Sequence, residues 1–201
     1  MKSLIIMFIA LTGFNIQAQS LPVTSTTSLT NPDIDTNFGT SGNYAQDTAN
    51  ERDQYVGIWQ YNQNGILFQV KIEKVNQLLS KWENENGTVF RYTYCDVVIF
   101  KYKLVVNGNL IQDNLNQTNL PDLYPSEAIK KGTDDDLYGS FYDITNNVAS
   151  RVSIKLLNTA TPKITFNLSQ GAYYFPNPDL PNNTEPLFTV PTGEIEMVKI
   201  N

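Results

Sequence analysis

The 201-residue chain has no histidine and a single cysteine, Cys95. The missing imidazole removes Ser-His-Asp and Cys-His nucleophile systems and every His-ligated zinc or iron site. A lone thiol removes intrachain disulfides and cysteine-built zinc or iron–sulfur centres. Cys95 stands between Tyr94 and Asp96. With no base beside it and a carboxylate opposing ionisation, it reads as a small core residue or an inert thiol. Basic residues are the scarcer charge, 14 Lys plus Arg against 20 Asp plus Glu, for a net charge of −6. That balance argues against a nucleic-acid partner, which would need a basic stripe for phosphates. Long apolar runs are also missing: none approaches the roughly 20 residues of a membrane-spanning helix.

The longest apolar run lies at the start, Leu4 to Leu11, behind Met1-Lys2 and ahead of Ile16-Gln17-Ala18-Gln19. A positive start, a short apolar core and a small residue at its end predict a secretory signal peptide over residues 1–18, cleaved after Ala18. The expected location is therefore outside the cytoplasm: periplasm, cell surface or extracellular. Residues 19–50 are rich in Ser, Thr, Asn and Gly, with sparse apolar residues and no period. Such a stretch buries too little surface to offset the entropy of ordering, which predicts a flexible polar lead-in, with a turn of helix between Asp47 and Asp53.

Residues 51–201 read as a succession of hairpins. Asn64-Gly65, Asn86-Gly87 and Asn107-Gly108 each separate two alternating runs. Asn and Gly tolerate the positive φ of tight turns, so this is the strongest short-range hairpin signal. Ile66, Phe68, Val70 and Ile72 alternate with Gln69, Lys71 and Glu73; Val98, Phe100, Tyr102 and Leu104 alternate with Lys101 and Lys103. Val152, Ile154 and Leu156 alternate with Arg151, Ser153 and Lys155, and Ile164, Phe166 and Leu168 with Lys163, Thr165 and Asn167. A period of two puts one set inside and the other in water. The connection from Asn114 to Asp136 has no period and is expected to be irregular, with a helical turn near Ser126 to Lys131. Pro176, Pro178, Pro181, Pro186 and Pro191 mark a further loop before a last strand, Glu194 to Ile200. About eight to ten short strands and no long helix predict an all-β fold, an antiparallel meander closing into a barrel with a disordered N-terminal lead-in.

Tyr55-Val56-Gly57-Ile58-Trp59 resembles the Gly-x-Trp signature that opens lipocalin-like barrels. The resemblance implies a small β-barrel with Trp59 closing one end and an Arg from a late strand against it; Arg151 is the candidate, on an outward position by alternation. Together with residues 68–74 and 94–102, that segment also resembles an uncharacterised exported family of Bacteroidota type with a domain of unknown function. That resemblance implies compartment and fold, and no activity.

Trp59, Phe68, Phe100, Tyr102 and Phe166 share the inward faces and are the candidate ligand-lining residues. They either wall a cavity for a small apolar or amphipathic ligand, or fill the interior outright. Tyr173-Tyr174-Phe175 offers a platform for a surface glycan or a protein, or a plug for the barrel. Asp134-Asp135-Asp136 lacks the spacing of a calcium loop and reads as a solvated acidic turn. Asp96, Asp113, Asp143 and Glu194 lie near strand ends, but nothing in their spacing selects a glycosidase pair. No catalytic residue, metal ligand or cofactor is assigned. A lipid-facing barrel needs strands of about nine to eleven residues, and the runs look shorter, so membrane contact is peripheral at most. The leading reading is an exported non-catalytic binding protein. The alternatives are a cell-envelope structural or surface-interaction protein with a filled core, and a carboxylate-based hydrolase. Oligomeric state is not legible.

Overall fold

A computed structural model describes residues 21–30, 35–118, 127–129, 136–171 and 187–200. The leader, the Tyr173-Tyr174-Phe175 segment, the proline-rich loop up to residue 186, Asp134 and Asp135 lie outside the described residues. Among the described residues eleven strands form one sheet. They are β1 Ser25–Ser28, β2 Asn43–Gln46, β3 Gly57–Gln63, β4 Ile66–Glu83, β5 Val89–Val106, β6 Asn109–Asp113, β7 Glu127–Ile129, β8 Asp136–Asp143, β9 Val148–Leu157, β10 Lys163–Leu168 and β11 Gly193–Lys199. The only helical turn among the described residues is a 3-10 turn, Asp53–Tyr55.

The Asn-Gly hairpins form where expected, in two ways. Asn64 and Gly65 have φ of 53° and 76°, and Asn107 and Gly108 of 50° and 80°, the both-positive geometry that matches strand twist. At the third, only Gly87 is positive, at 76°. There the Asn84 side chain accepts from the amides of Asn86 and Thr88, closing a longer loop. Val148 follows the turn in which Asn147 takes a φ of 52°.

The strand order is β1-β2-β5-β4-β3-β11-β10-β9-β8-β7, with β6 beside β5 and a further β5–β7 contact. This is a mixed sheet and not an antiparallel meander closed into a lipocalin-like barrel, which corrects the expected fold. β1 runs parallel to β2, and β2 runs parallel to β5. The last strand returns beside β3 through Val198↔Gln60 and Lys199↔Trp59. The free edge of β5 is divided among three short strands. β2 takes Tyr94 and Cys95, β7 takes Val98 and Ile99, and β6 takes Lys103 to Val106. The two-residue β5–β7 contact stands where a closed meander would need a continuous ladder.

The disordered lead-in is corrected as well, because β1 and β2 are strands of the sheet. Polar side chains, rather than an apolar face, order them. Asn43 is buried and donates to Thr27 Oγ1 at 3.0 Å, while Ser25 donates to its Oδ1 at 2.9 Å. Tyr92 and Tyr94 hydroxyls reach the carbonyls of Pro22 and Leu21 at 2.7 and 2.6 Å. Gly42 has a φ of 83°, and a Cβ there would lie 2.4 Å from Thr24 Oγ1, so glycine is required where the two segments meet. The expected helical turn near 126–131 is also absent, since residues 127–129 form β7.

Two strands are longer than their sequence runs suggested. β4 and β5 each span 18 residues, and their ladder slips between Val75 and Leu78, where Gln77 has a φ of 55°. An inserted residue of this kind bends the strand and increases local twist. Below the bulge the β4 alternation faces the core; beyond it most β4 residues are exposed. The core is one cluster built from Phe68, Val70 and Ile72 of β4, Val98, Phe100, Tyr102 and Leu104 of β5, and inward residues of β8 to β11.

Candidate functional site

The five residues singled out as ligand-lining come together. Trp59, Phe68 and Phe166 are fully buried, and Phe100 and Tyr102 are 1% exposed. Phe68 lies 6.1 Å from Tyr102 and 5.7 Å from Phe166, centroid to centroid. Phe141 of β8, which alternation alone did not single out, stands among them. Its ring centroid is 6.2 Å from Phe68, 6.3 Å from Phe100, 5.4 Å from Tyr102 and 5.6 Å from Phe166. Tilted and edge-on arrangements at 4.5–7 Å are the favourable geometries for aromatic pairs. These rings therefore satisfy one another across β4, β5, β8 and β10.

Trp59 belongs to the same core cluster, at the β3–β11 seam. Its indole N–H donates to the Tyr55 carbonyl at 2.7 Å, and Lys199 Nζ stands 5.3 Å from its ring centroid. A cation on the indole face does come from a late strand, but it is Lys199 of β11. Arg151 is exposed on β9, as its alternation required.

Tyr102 carries the one polar group of the aromatic cluster. Its hydroxyl donates to Asp143 Oδ1 at 3.0 Å and accepts from the Ile144 amide at 3.1 Å. Burial and the neighbouring Asp143 carboxylate push the phenol well above its ordinary value, so it stays protonated. Asp143 is fully buried and also accepts from the Thr145 amide at 3.0 Å, and from the Thr189 amide and hydroxyl at 2.6 and 2.8 Å. This latch seats Phe188 and Val190 in the core. The aspartate fixes the segment after the proline-rich loop, and all its described partners are donors of the fold.

The second buried polar centre was not visible in the sequence. Arg52 spends all five guanidinium N–H groups on the protein. Nε donates to Asp47 Oδ2 at 2.9 Å, Nη1 to the carbonyls of Val75 and Val97 at 3.1 and 2.9 Å, and Nη2 to Asn76 Oδ1 and Asp96 Oδ2 at 2.9 and 3.1 Å. Asp96 further accepts from the Tyr44 hydroxyl and from the amides of Gln77 and Asp47. Burial would raise the Asp47 carboxyl, but the hydrogen bonds from Arg52 and from the Glu51 and Arg52 amides outweigh it and hold it below its ordinary value. Burial and the bond to Asp96 push the Tyr44 phenol up to about 12. The knot ties the lead-in to the β4 bulge. A lone Arg behind a polar stretch gives no periodic signal to find it by.

The carboxylates considered for hydrolysis do not form a pair. Asp96 belongs to the Arg52 knot and Asp143 to the Tyr102 latch. Asp113 faces Lys103 at 3.4 Å, and Glu194 is exposed on β11. A glycosidase needs one carboxyl held protonated and a second free to attack or activate water. The two carboxylates that do meet, Asp47 and Asp96, share one arginine between them. Among the described residues no group of three or more His, Cys, Asp or Glu side chains could hold a metal ion. No helix among them is long and apolar enough to cross a membrane.

On the outer face, Glu73 receives Lys101 and Lys71. Burial opposes its ionisation, but these two ammonium groups prevail and hold it below its ordinary value. Beyond the bulge the β4–β5 hairpin exposes Leu79, Trp82 and Phe90, with the Arg91 guanidinium 4.9 Å from the Trp82 ring centroid.

No curated protein and no solved structure matches the chain. Residues 1–200 match the model of a family of unknown function, DUF6705, and the chain belongs to that family.

Proposed function

We propose that the chain is an exported, non-catalytic protein of the cell envelope or cell surface, acting through its exterior around a filled aromatic interior. The observation that carries this reading is the packing of Phe68, Phe100, Tyr102 and Phe166 on Phe141, at centroid distances of 5.4–6.3 Å. Side chains placed to line a ligand cavity would present their faces to a void; these present them to one another. The polar groups support the same reading, since Arg52, Asp96 and Asp143 are consumed in holding strands together. Native mass spectrometry of protein purified from its own host tests it. The expected masses are those of the polypeptide without adduct, in one copy or more, and a stoichiometric small-molecule adduct would overturn the filled interior.

Export rests on Lys2 followed by the Leu4–Leu11 run and Ala18. Cleavage after Ala18 would leave intact the Leu21 and Pro22 carbonyls that Tyr94 and Tyr92 hold, the first docked groups among the described residues. N-terminal sequencing of protein recovered from the envelope or medium should start at Gln19. A mature chain starting at Met1 would refute export by this route.

A further inference from the structure

The outer edge of β4 is paired only in part. β3 covers Ile66 to Ile72. The Arg52 guanidinium, Asp53 and Asp96 then engage Val75, Asn76, Lys74 and Gln77. Past the bulge, Leu78 to Glu83 pair with β5 on one side, and no strand among the described residues pairs with the other. An open edge offers a row of amide and carbonyl groups to any extended chain. Here the edge also carries two large exposed apolar residues, Leu79 at 39% and Trp82 at 43%.

The charges on this edge select an occupant. Lys81 and Glu83 flank Trp82, and they already pair with each other at 2.7 Å. Two copies of the edge, antiparallel about a two-fold axis, must place some residue opposite itself. A register centred on Lys81 sets lysine against lysine, and one centred on Glu83 sets carboxylate against carboxylate, both unfavourable across strands. Centring on Ser80 leaves Lys81 opposite Leu79. Centring on Trp82 puts each Lys81 opposite the other copy's Glu83, so two ion pairs bracket two stacked indoles. Arg91 is directly opposite Trp82 in the β4–β5 register and lies over its ring. The result is a ladder of Arg91, Trp82, Trp82 and Arg91 on one face of a continuous sheet, with the crossed Lys81–Glu83 pairs on the other.

We propose that the Lys81–Glu83 end of the open β4 edge pairs antiparallel with the same residues of a second copy, centred on Trp82, giving a two-fold dimer through a shared sheet. In this register Ser80 already falls opposite Asn84, so the turn that follows Glu83 limits the strand pairing to Lys81–Glu83 of each copy. The interface is small, and the dimer dissociates on dilution and weakens with salt as its crossed ion pairs are screened. This inference stands independently of whether the interior is filled.

Sedimentation velocity on the intact purified protein across a hundredfold concentration range tests it, with circular dichroism confirming the fold of each variant. Wild type shifts from monomer to dimer. Lys81→Glu and Glu83→Lys each lose dimer by at least tenfold in dissociation constant, because each sets like charges opposite one another. The double exchange, Lys81→Glu with Glu83→Lys, restores it. Mixing the two single variants yields a heterodimer, since the carboxylates of one then face the ammonium groups of the other. Wild type that stays monomeric throughout overturns the proposal. So does a dimer unaffected by either single exchange, or a mixture of the two variants that does not associate.

Discussion

Replacing Phe141 by Ala removes the ring on which four others converge. It is fully buried, and its partners come from β4, β5 and β10. Truncating a buried Phe costs about 3–5 kcal/mol, more where the surroundings cannot close over the gap. Phe68, Phe100, Tyr102 and Phe166 are each fixed in their own ladders, and Tyr102 is also latched to Asp143. Collapse is therefore limited, and a loss of about 4 kcal/mol is expected, a large part of the 5–15 kcal/mol of an ordinary domain. With a urea slope of about 2 kcal/mol per molar, the unfolding midpoint falls by about 2 M. Phe141→Leu keeps most of the volume and costs about 1.5 kcal/mol, so the effect remains measurable should the alanine variant fail to fold. Equilibrium urea unfolding followed by tryptophan fluorescence and circular dichroism reads both. A loss under about 1 kcal/mol for Phe141→Ala would mean that the ring borders open space, and the filled interior would be wrong.

Three further outcomes follow from the buried polar centres. Arg52→Met strands Asp47 and Asp96 without their cation and costs about 3–5 kcal/mol by urea unfolding; adding Asp47→Asn and Asp96→Asn recovers part of the loss. Asp47 and Glu73 are held below their ordinary values of 3.8 and 4.5, so the unfolded chain binds protons more readily. Their stabilisation is complete above those values and drains as pH falls through and below them, which midpoints at pH 6 and pH 3 will show. In Arg52→Met the Asp47 contribution shrinks, because only the backbone amides of residues 51 and 52 are left to oppose burial. Asp143→Asn weakens acceptance from Thr145, Thr189 and Tyr102, and hydrogen exchange of the Thr145 and Thr189 amides should accelerate while β4 and β10 amides stay protected.

What could be read in the sequence was what repeats locally. The period of two in β4, β5, β9 and β10 put Phe68, Phe100, Tyr102 and Phe166 on the correct side, and the Asn-Gly pairs marked three turns. Phe141 was hidden because Leu137 to Ile144 mixes Gly139, Ser140 and Tyr142 into its run, and its central place depends on three other strands, β4, β5 and β10. The β3–β11 seam joins residues near 60 to residues near 198, a pairing that no local pattern encodes. The lead-in misled for a physical reason: β1 and β2 are ordered by Asn43, Ser25, Thr27 and tyrosine hydroxyls, and hydrogen bonds between polar side chains leave no hydrophobic period. The Gly-x-Trp signature identified a buried Trp under a late-strand cation, but it sits in a mixed sheet whose β1–β2 end is parallel.

The most direct test of the account is experimental electron density for the interior of protein taken from its own host. A filled interior requires Phe68, Phe100, Tyr102 and Phe166 in ring contact with Phe141, with no density other than their own between them. Continuous density for a bound molecule among these rings, or rings turned aside around a void, would contradict it.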